Sequence, residues 1–184
     1  MTSIIPPAFA FCFALNVQQQ KDLPHKRGAL LDLQADCRLP WPGAELTDHA
    51  LPVELCSAWN FGGIGFSVTV SGKKHPPVSQ IDRADDTDGF QIWIHTRGTR
   101  TIHRANRLTH HFCLLPTGGG ADGLQPLVKQ LPVARASEDA PISRPEKFPI
   151  RCETTTDGYR LETWLPAETL NGFDPDESTQ LGFY

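Results

Sequence analysis

An all-β fold, an antiparallel β-sandwich of jelly-roll-like type with long loops, is predicted by three features of the sequence. Sixteen prolines and fifteen glycines in 184 residues, with a single methionine, argue against a helical bundle and for a loop-rich β protein. The runs Phe66–Val70, Phe90–Thr96 and Tyr159–Leu165 alternate in character with a period of two, so each presents one apolar and one more polar face. Turn-forming clusters separate these runs at short intervals. The length fits one domain spanning residues 1–184, large enough to bury a core without staples.

From the N-terminus, Phe9, Phe11, Phe13 and Leu15 alternate as in a first strand. The apolar run Ile4–Leu15 lacks a basic flank and contains Pro6 and Pro7, which argues against a secretory signal and for a cytoplasmic chain. Residues Gln18–Leu39 are polar and irregular apart from Ala29–Leu33, and Leu39-Pro40-Trp41-Pro42-Gly43 is a connector. Ser57–Asn60 then leads through Gly62-Gly63 into a strand over Gly65–Gly72, which Lys73-Lys74-His75-Pro76-Pro77 ends.

An acidic run, Asp82–Gly89, feeds a strand over Asp88–Arg97. Another strand covers His110–Pro116, and Gly118-Gly119-Gly120 ends it. Ala121–Pro149 reads as a long Pro-containing connection. Ile150–Thr154 and Tyr159–Leu165 form a hairpin across Thr155-Thr156-Asp157-Gly158. A short helical turn follows at Pro166–Leu170, and Gln180–Tyr184 reads as a strand cut short, with chain expected beyond it.

A formal net charge of -4 gives no electrostatic reason to expect a nucleic acid or an anionic membrane as partner. No segment is long and apolar enough to span a membrane. The five cysteines (Cys12, Cys37, Cys56, Cys113 and Cys152) are odd in number and hold no C-x-x-C, so free buried thiols are expected. Neither a G-x-S-x-G elbow nor a complete phosphate loop is present. Glu153 with Glu162 is the one carboxylate pair that suggests glycoside hydrolysis, through an acid on Glu162.

The polar faces carry the candidate sites. On the Asp88–Arg97 strand, Gln91, Trp93, His95 and Arg97 share one face; on the Tyr159–Leu165 strand, Arg160, Glu162 and Trp164 share one. Were both strands in one sheet, Trp93 and Trp164 would lie on a common surface suited to a sugar; the alternative is that both rings cover a sheet face or pack under the long connection. His95, Arg97, His103, Arg104, Arg107 and His111, with Gln91 and Asn106, form the densest cationic region. It suits an acidic sugar, a phosphate or a carboxylate, or else a surface paired with Asp82, Asp85 and Asp86.

Metal patterns are sparse. An EF-hand register over the acidic run places Ala84 first and His95 twelfth, where ligands are required. A zinc site from His103, His110 and His111 is disfavoured because adjacent strand residues point to opposite faces. His110 falls with Phe112 and Leu114, as a core histidine would.

The segment Asp157-Gly158-Tyr159-Arg160-Leu161-Glu162-Thr163-Trp164-Leu165-Pro166-Ala167, with Leu181-Gly182-Phe183, resembles the closing pattern of family 9 carbohydrate-binding modules and the wider DOMON-like sandwiches. Tyr159, Glu162 and Pro166 stand where that pattern has its tyrosine, glutamate and proline. Asp88, Gln91 and His95 occupy the places of three acids in the family, and only Asp88 keeps the acid. Gly89–Gly120 also resembles uncharacterised planctomycete-type proteins of this sandwich class.

The resemblance implies a sugar clamped between two aromatic rings, and calcium, with Asp85, Asp86 and Asp88 as candidate ligands. Heme, bound by some DOMON-like domains, is disfavoured because Met1 is the only methionine. The expectation is a non-catalytic domain recognising a saccharide or a related polyhydroxylated or anionic ligand. Trp93 and Trp164 are expected to stack, Gln91, His95, Arg97 and Glu162 to hydrogen-bond, and Arg104 and Arg107 to make secondary contacts. The competing expectations are a protein-interaction or structural sandwich and a glycoside hydrolase.

Overall fold

The computed structural model of the protein describes residues 14–40, 52–98 and 104–183. Two sheets face each other. The first is ordered β1-β2-β3-β8-β7, with β1 at Gln18–Gln19, β2 at Val53–Asn60, β3 at Gly63–Val70, β8 at Tyr159–Pro166 and β7 at Ile150–Thr154. The second is ordered β6-β5-β4-β9, with β6 at Gln125–Leu131, β5 at Thr109–Gly119, β4 at Phe90–His95 and β9 at Gly182–Phe183. All pairs are antiparallel except β1 with β2. A β-sandwich is therefore what the alternating runs build, and among the described residues helix is confined to 3-10 turns such as Ala167–Thr169. Among the described residues no helix is long and apolar enough to cross a membrane.

The period-two pattern sorts side chains as expected. Phe66 and Val68 of β3, Ile92 and Ile94 of β4, Phe112 and Leu114 of β5 and Leu161 and Leu165 of β8 fill the space between the sheets. His110 joins them at 1% exposure. Gln130 Nε2 lies 3.3 Å from its Nδ1 and the Asn171 carbonyl 3.4 Å from its Nε2, so this buried ring is bonded on both sides.

Both outer faces carry covers. Residues 23–37 form a strap across the outer face of the β2–β3–β8 sheet, burying Leu23, Leu30, Leu31, Leu33 and Cys37 against Cys56, Ala58 and Trp164. The row Ala58–Gly65–Trp164 runs across the three strands there. A Cβ on Gly65 would come within 2.9 Å of Leu31 and 3.0 Å of Trp164, so the absent side chain makes the seat for both. On the other sheet, the turn around Ile81–Arg83 packs Ala84 over Cys113, Leu115 and Leu127.

Two expectations about elements are revised, and a third falls largely outside the described residues. The stretch 121–149, read as connection, contains β6. Pro126 obscured it, yet β6 is an edge strand, where the missing N–H is tolerated. Phe9, Phe11 and Phe13 of the expected first strand, and Trp41 of the connector, lie outside the described residues; Leu15 packs against the core without belonging to a strand. The last strand is limited to Gly182–Phe183 among the described residues.

Candidate functional site

β4 places Gln91, Trp93 and His95 on the outer face of the second sheet, because Ile92 and Ile94 are claimed by the core. Antiparallel register sets Trp93 opposite His111 and Gln91 opposite Cys113 on β5. The Trp93 and His111 rings stack with centroids 4.1 Å apart and 13° between planes. His111 is buried, while Trp93 remains partly exposed.

A chain of hydrogen bonds fixes that stack. Gln91 Nε2 donates to the Asp85 carbonyl at 2.9 Å. A carbonyl only accepts, so the amide orientation is settled and Gln91 Oε1 faces His111 Nε2 at 3.0 Å. His111 therefore carries its proton on Nε2. Burial lowers its pKa below the ordinary histidine value, against the pull of Asp85, and holds the ring neutral. The ring beneath Trp93 is thus fixed in position, tautomer and charge.

Cys113 Sγ lies 3.7 Å from the same His111 Nε2. Since that nitrogen already bears a proton, it cannot take one from the thiol. Burial, then Asp85, pushes the thiol pKa up to about 11, so no thiolate nucleophile is available near neutral pH. The described cysteines Cys37, Cys56, Cys113 and Cys152 are all free, as expected from their spacing.

His95 is the least satisfied member of the face. It is 7% exposed; its Nδ1 accepts the Arg97 backbone N–H at 3.3 Å, and its buried Nε2 finds no partner among the described residues. Arg97 itself is paired with Glu177 at 2.8 Å. Arg104 Nε donates to the Arg135 carbonyl at 2.7 Å, and Arg107 is exposed, with its carbonyl accepting from Asn171. His103 lies outside the described residues.

The other polar face is built differently. β4 and β8 belong to different sheets, so Trp93 and Trp164 share no surface. Trp164 is 3% exposed beneath the strap, which corrects its expected role as a stacking platform: the apolar side chains of residues 23–37 occupy the position a sugar would take. Glu162 is likewise committed. Its Oε1 accepts from Arg160 at 2.8 Å, and its Oε2 accepts the Leu30 and Leu31 amides at 2.9 and 3.2 Å. Arg151 adds a hydrogen bond to the Gly28 carbonyl. Glu153 and Glu162 do line one recess with Ala29, Arg151 and Arg160, but only about 20 Å³ of it is open to a water-sized molecule, room for little more than one water. Glu162, however, is 5% exposed and holds the strap, with both of its oxygens accepting from protein donors.

The three aspartates do not converge. Asp88 accepts from Lys73 at 2.7 Å and from the Val78 amide at 2.9 Å. Burial alone would raise its pKa, but these two donors outweigh that and lower it. Asp86 pairs with Arg83, and Asp85 is exposed, using its carbonyl for Gln91. Among the described residues no group of three or more His, Cys, Asp or Glu side chains is placed to hold a metal ion.

Of the expected ligand contacts, β4 thus carries Gln91, Trp93 and His95 on one face, while Arg97 lies just beyond its end and pairs with Glu177. The importance of His111 as the support of Trp93 was missed, because the register of β4 with β5 depends on the long link between them. No family model, no curated protein and no solved structure matches the chain.

Proposed function

We propose that the chain is a non-catalytic binding domain for a saccharide or a related polyhydroxylated ligand, with the partly exposed Trp93 as its stacking platform. The observation that carries this reading is the parallel Trp93–His111 pair at 4.1 Å on the outer face of a paired strand. An indole held flat before binding loses little rotamer entropy when a sugar ring lies on it. The amphipathic faces of a pyranose suit such a surface, with polar groups needed only at its margin.

A single platform, in place of the two-ring clamp that Trp164 would have completed, implies modest affinity. The engaged state of Glu162 and the protonated Cys113 thiol favour binding over catalysis. The test is a glycan array followed by calorimetric titration of the best ligand against the native protein and Trp93→Ala. At least tenfold weaker binding by Trp93→Ala, with a melting temperature lowered by no more than about 2–4 °C, supports the reading; equal affinity, or no saccharide bound by the native protein, removes it.

A further inference from the structure

We infer that the free edge of β7 pairs antiparallel with the same edge of a second copy of this chain, about a two-fold axis at Cys152, and joins the two β1-β2-β3-β8-β7 sheets into one. The inference is independent of the proposed sugar site, which lies on the other sheet.

The edge is open. Thr155 N–H donates to the Gly158 carbonyl and Trp164 N–H to the Pro149 carbonyl, so the odd-numbered residues of this stretch turn their backbone groups toward β8. Strand geometry then turns the N–H and C=O of Ile150, Cys152 and Thr154 away from β8. β7 ends its sheet, and among the described residues these groups find no partner. The edge borders an open cleft of about 470 Å³, lined by Ile150, Arg151, Cys152 and Glu153 and walled opposite by Gln125 and Pro126 of β6. The other described sheet ends are blunted: β1 and β9 have two residues each, and β6 carries Pro126 and Lys129. β7 has five residues in unbroken register, without Pro, Lys or bulge.

Charge selects a second copy as the partner. Arg151 and Glu153 are exposed, two apart on the outer face, and among the described residues neither is in an ion pair. In an antiparallel pairing centred on Cys152, Arg151 of each copy stands opposite Glu153 of the other. These are the non-hydrogen-bonded positions, where side chains come closest. Within the chain Arg151 already neighbours Glu162, and Glu153 neighbours Arg160. The dimer extends those rows as Arg160, Glu153, Arg151 and Glu162, alternating in sign across both copies. Arg151 also donates to the Gly28 carbonyl, but a guanidinium has further N–H donors for the carboxylate. Ile150 facing Thr154, and Cys152 facing Cys152, exchange the backbone hydrogen bonds. A strand that is its own complement is what a two-fold contact requires.

The experiment is sedimentation equilibrium of the full chain from about 1 µM to about 1 mM, the range in which so short a contact associates. Amide hydrogen exchange is measured at both ends of that range. The apparent mass should rise from 20.3 kDa toward twice that value. The amides of Ile150, Cys152 and Thr154 should exchange severalfold more slowly at the high concentration, and those of Arg151 and Glu153, already bonded to β8, should change less. Arg151→Glu and Glu153→Arg should each associate about tenfold more weakly or worse, since like charges then face each other. An equimolar mixture of the two variants should associate again, because an acidic strand then faces a basic one. Cys152→Pro, which removes a free-edge N–H and leaves the bonds to β8, should also weaken association.

A monomer at every concentration overturns the inference, whether or not the edge amides are protected. Association unchanged in both charge variants, or a mixture that associates no better than either variant alone, puts the contact elsewhere and overturns it as well.

Discussion

At the scale of residues, two tryptophans with similar strand contexts have opposite assignments. Trp164 lies at 3% exposure among the strap side chains, and replacing it by alanine empties a packed site. Trp164→Ala is expected to cost about 3–5 kcal/mol in urea-unfolding free energy. Trp93→Ala loses one partly exposed stack on His111 and should cost about 1 kcal/mol. Equal losses would refute the division of roles. Glu162 offers a third residue-scale prediction. In Glu162→Gln the amide nitrogen must face either Arg160 or the Leu30 and Leu31 amides, all of which are donors. A loss of about 2 kcal/mol is expected from the same unfolding curves, and faster hydrogen exchange should be confined to residues 28–33. Uniform or absent change in exchange would show that the carboxylate does not hold the strap.

At the scale of elements, the strap is the part least legible in sequence. Ala29–Leu33 stood out as a short apolar run, but nothing local says that it lies over β8. The carboxylate that receives it is more than a hundred residues away in the chain, at Glu162. The same limitation hid the role of Trp164: alternation identifies two faces of a strand without saying which surface another segment covers. Strands with clear alternation were legible to within a few residues, as at β4, β7 and β8, since period-two burial is a local property. β6 was missed because Pro126 suggested a loop, and because Leu127 is buried and Leu131 partly buried on the outer face while Val128 serves the core, so no single polar face is visible. The strap also makes a packing prediction at Gly65, where an added side chain meets Leu31 and Trp164 at about 3 Å. Gly65→Val should destabilise by about 1–3 kcal/mol, read from the denaturation midpoint. A native midpoint would contradict the close seating of the strap.

At the scale of the whole molecule, the sandwich holds three histidines toward their neutral forms, and this links stability to pH. Burial lowers the pKa of His95, His110 and His111; for His110 the Asn171 carbonyl opposes the shift and nearby His95 reinforces it. The unfolded chain takes up these protons near pH 6.5, whereas the folded chain resists them until lower pH. Unfolding thus binds protons in that window, so stability should fall as pH drops below about 6.5, by up to 1.4 kcal/mol per pH unit for each histidine. Urea midpoints measured from pH 8 to pH 5 test this: a decline beginning near pH 6.5 is expected, and a flat profile would contradict it. The two-sheet architecture was legible because it follows from alternation. The site was legible only as a stripe on β4, since the His111 that stacks on Trp93 and the Glu177 that pairs with Arg97 come from other elements. The central claim is that this stripe binds sugar through Trp93. Its most direct test is titration of the nitrogen-15-labelled protein with the best-binding neutral glycoside, following the assigned tryptophan indole N–H signals by NMR. The account predicts saturable shifts at Trp93 with Trp164 unmoved. Saturable shifts at Trp164 with Trp93 unmoved, or no shift at either, would contradict it.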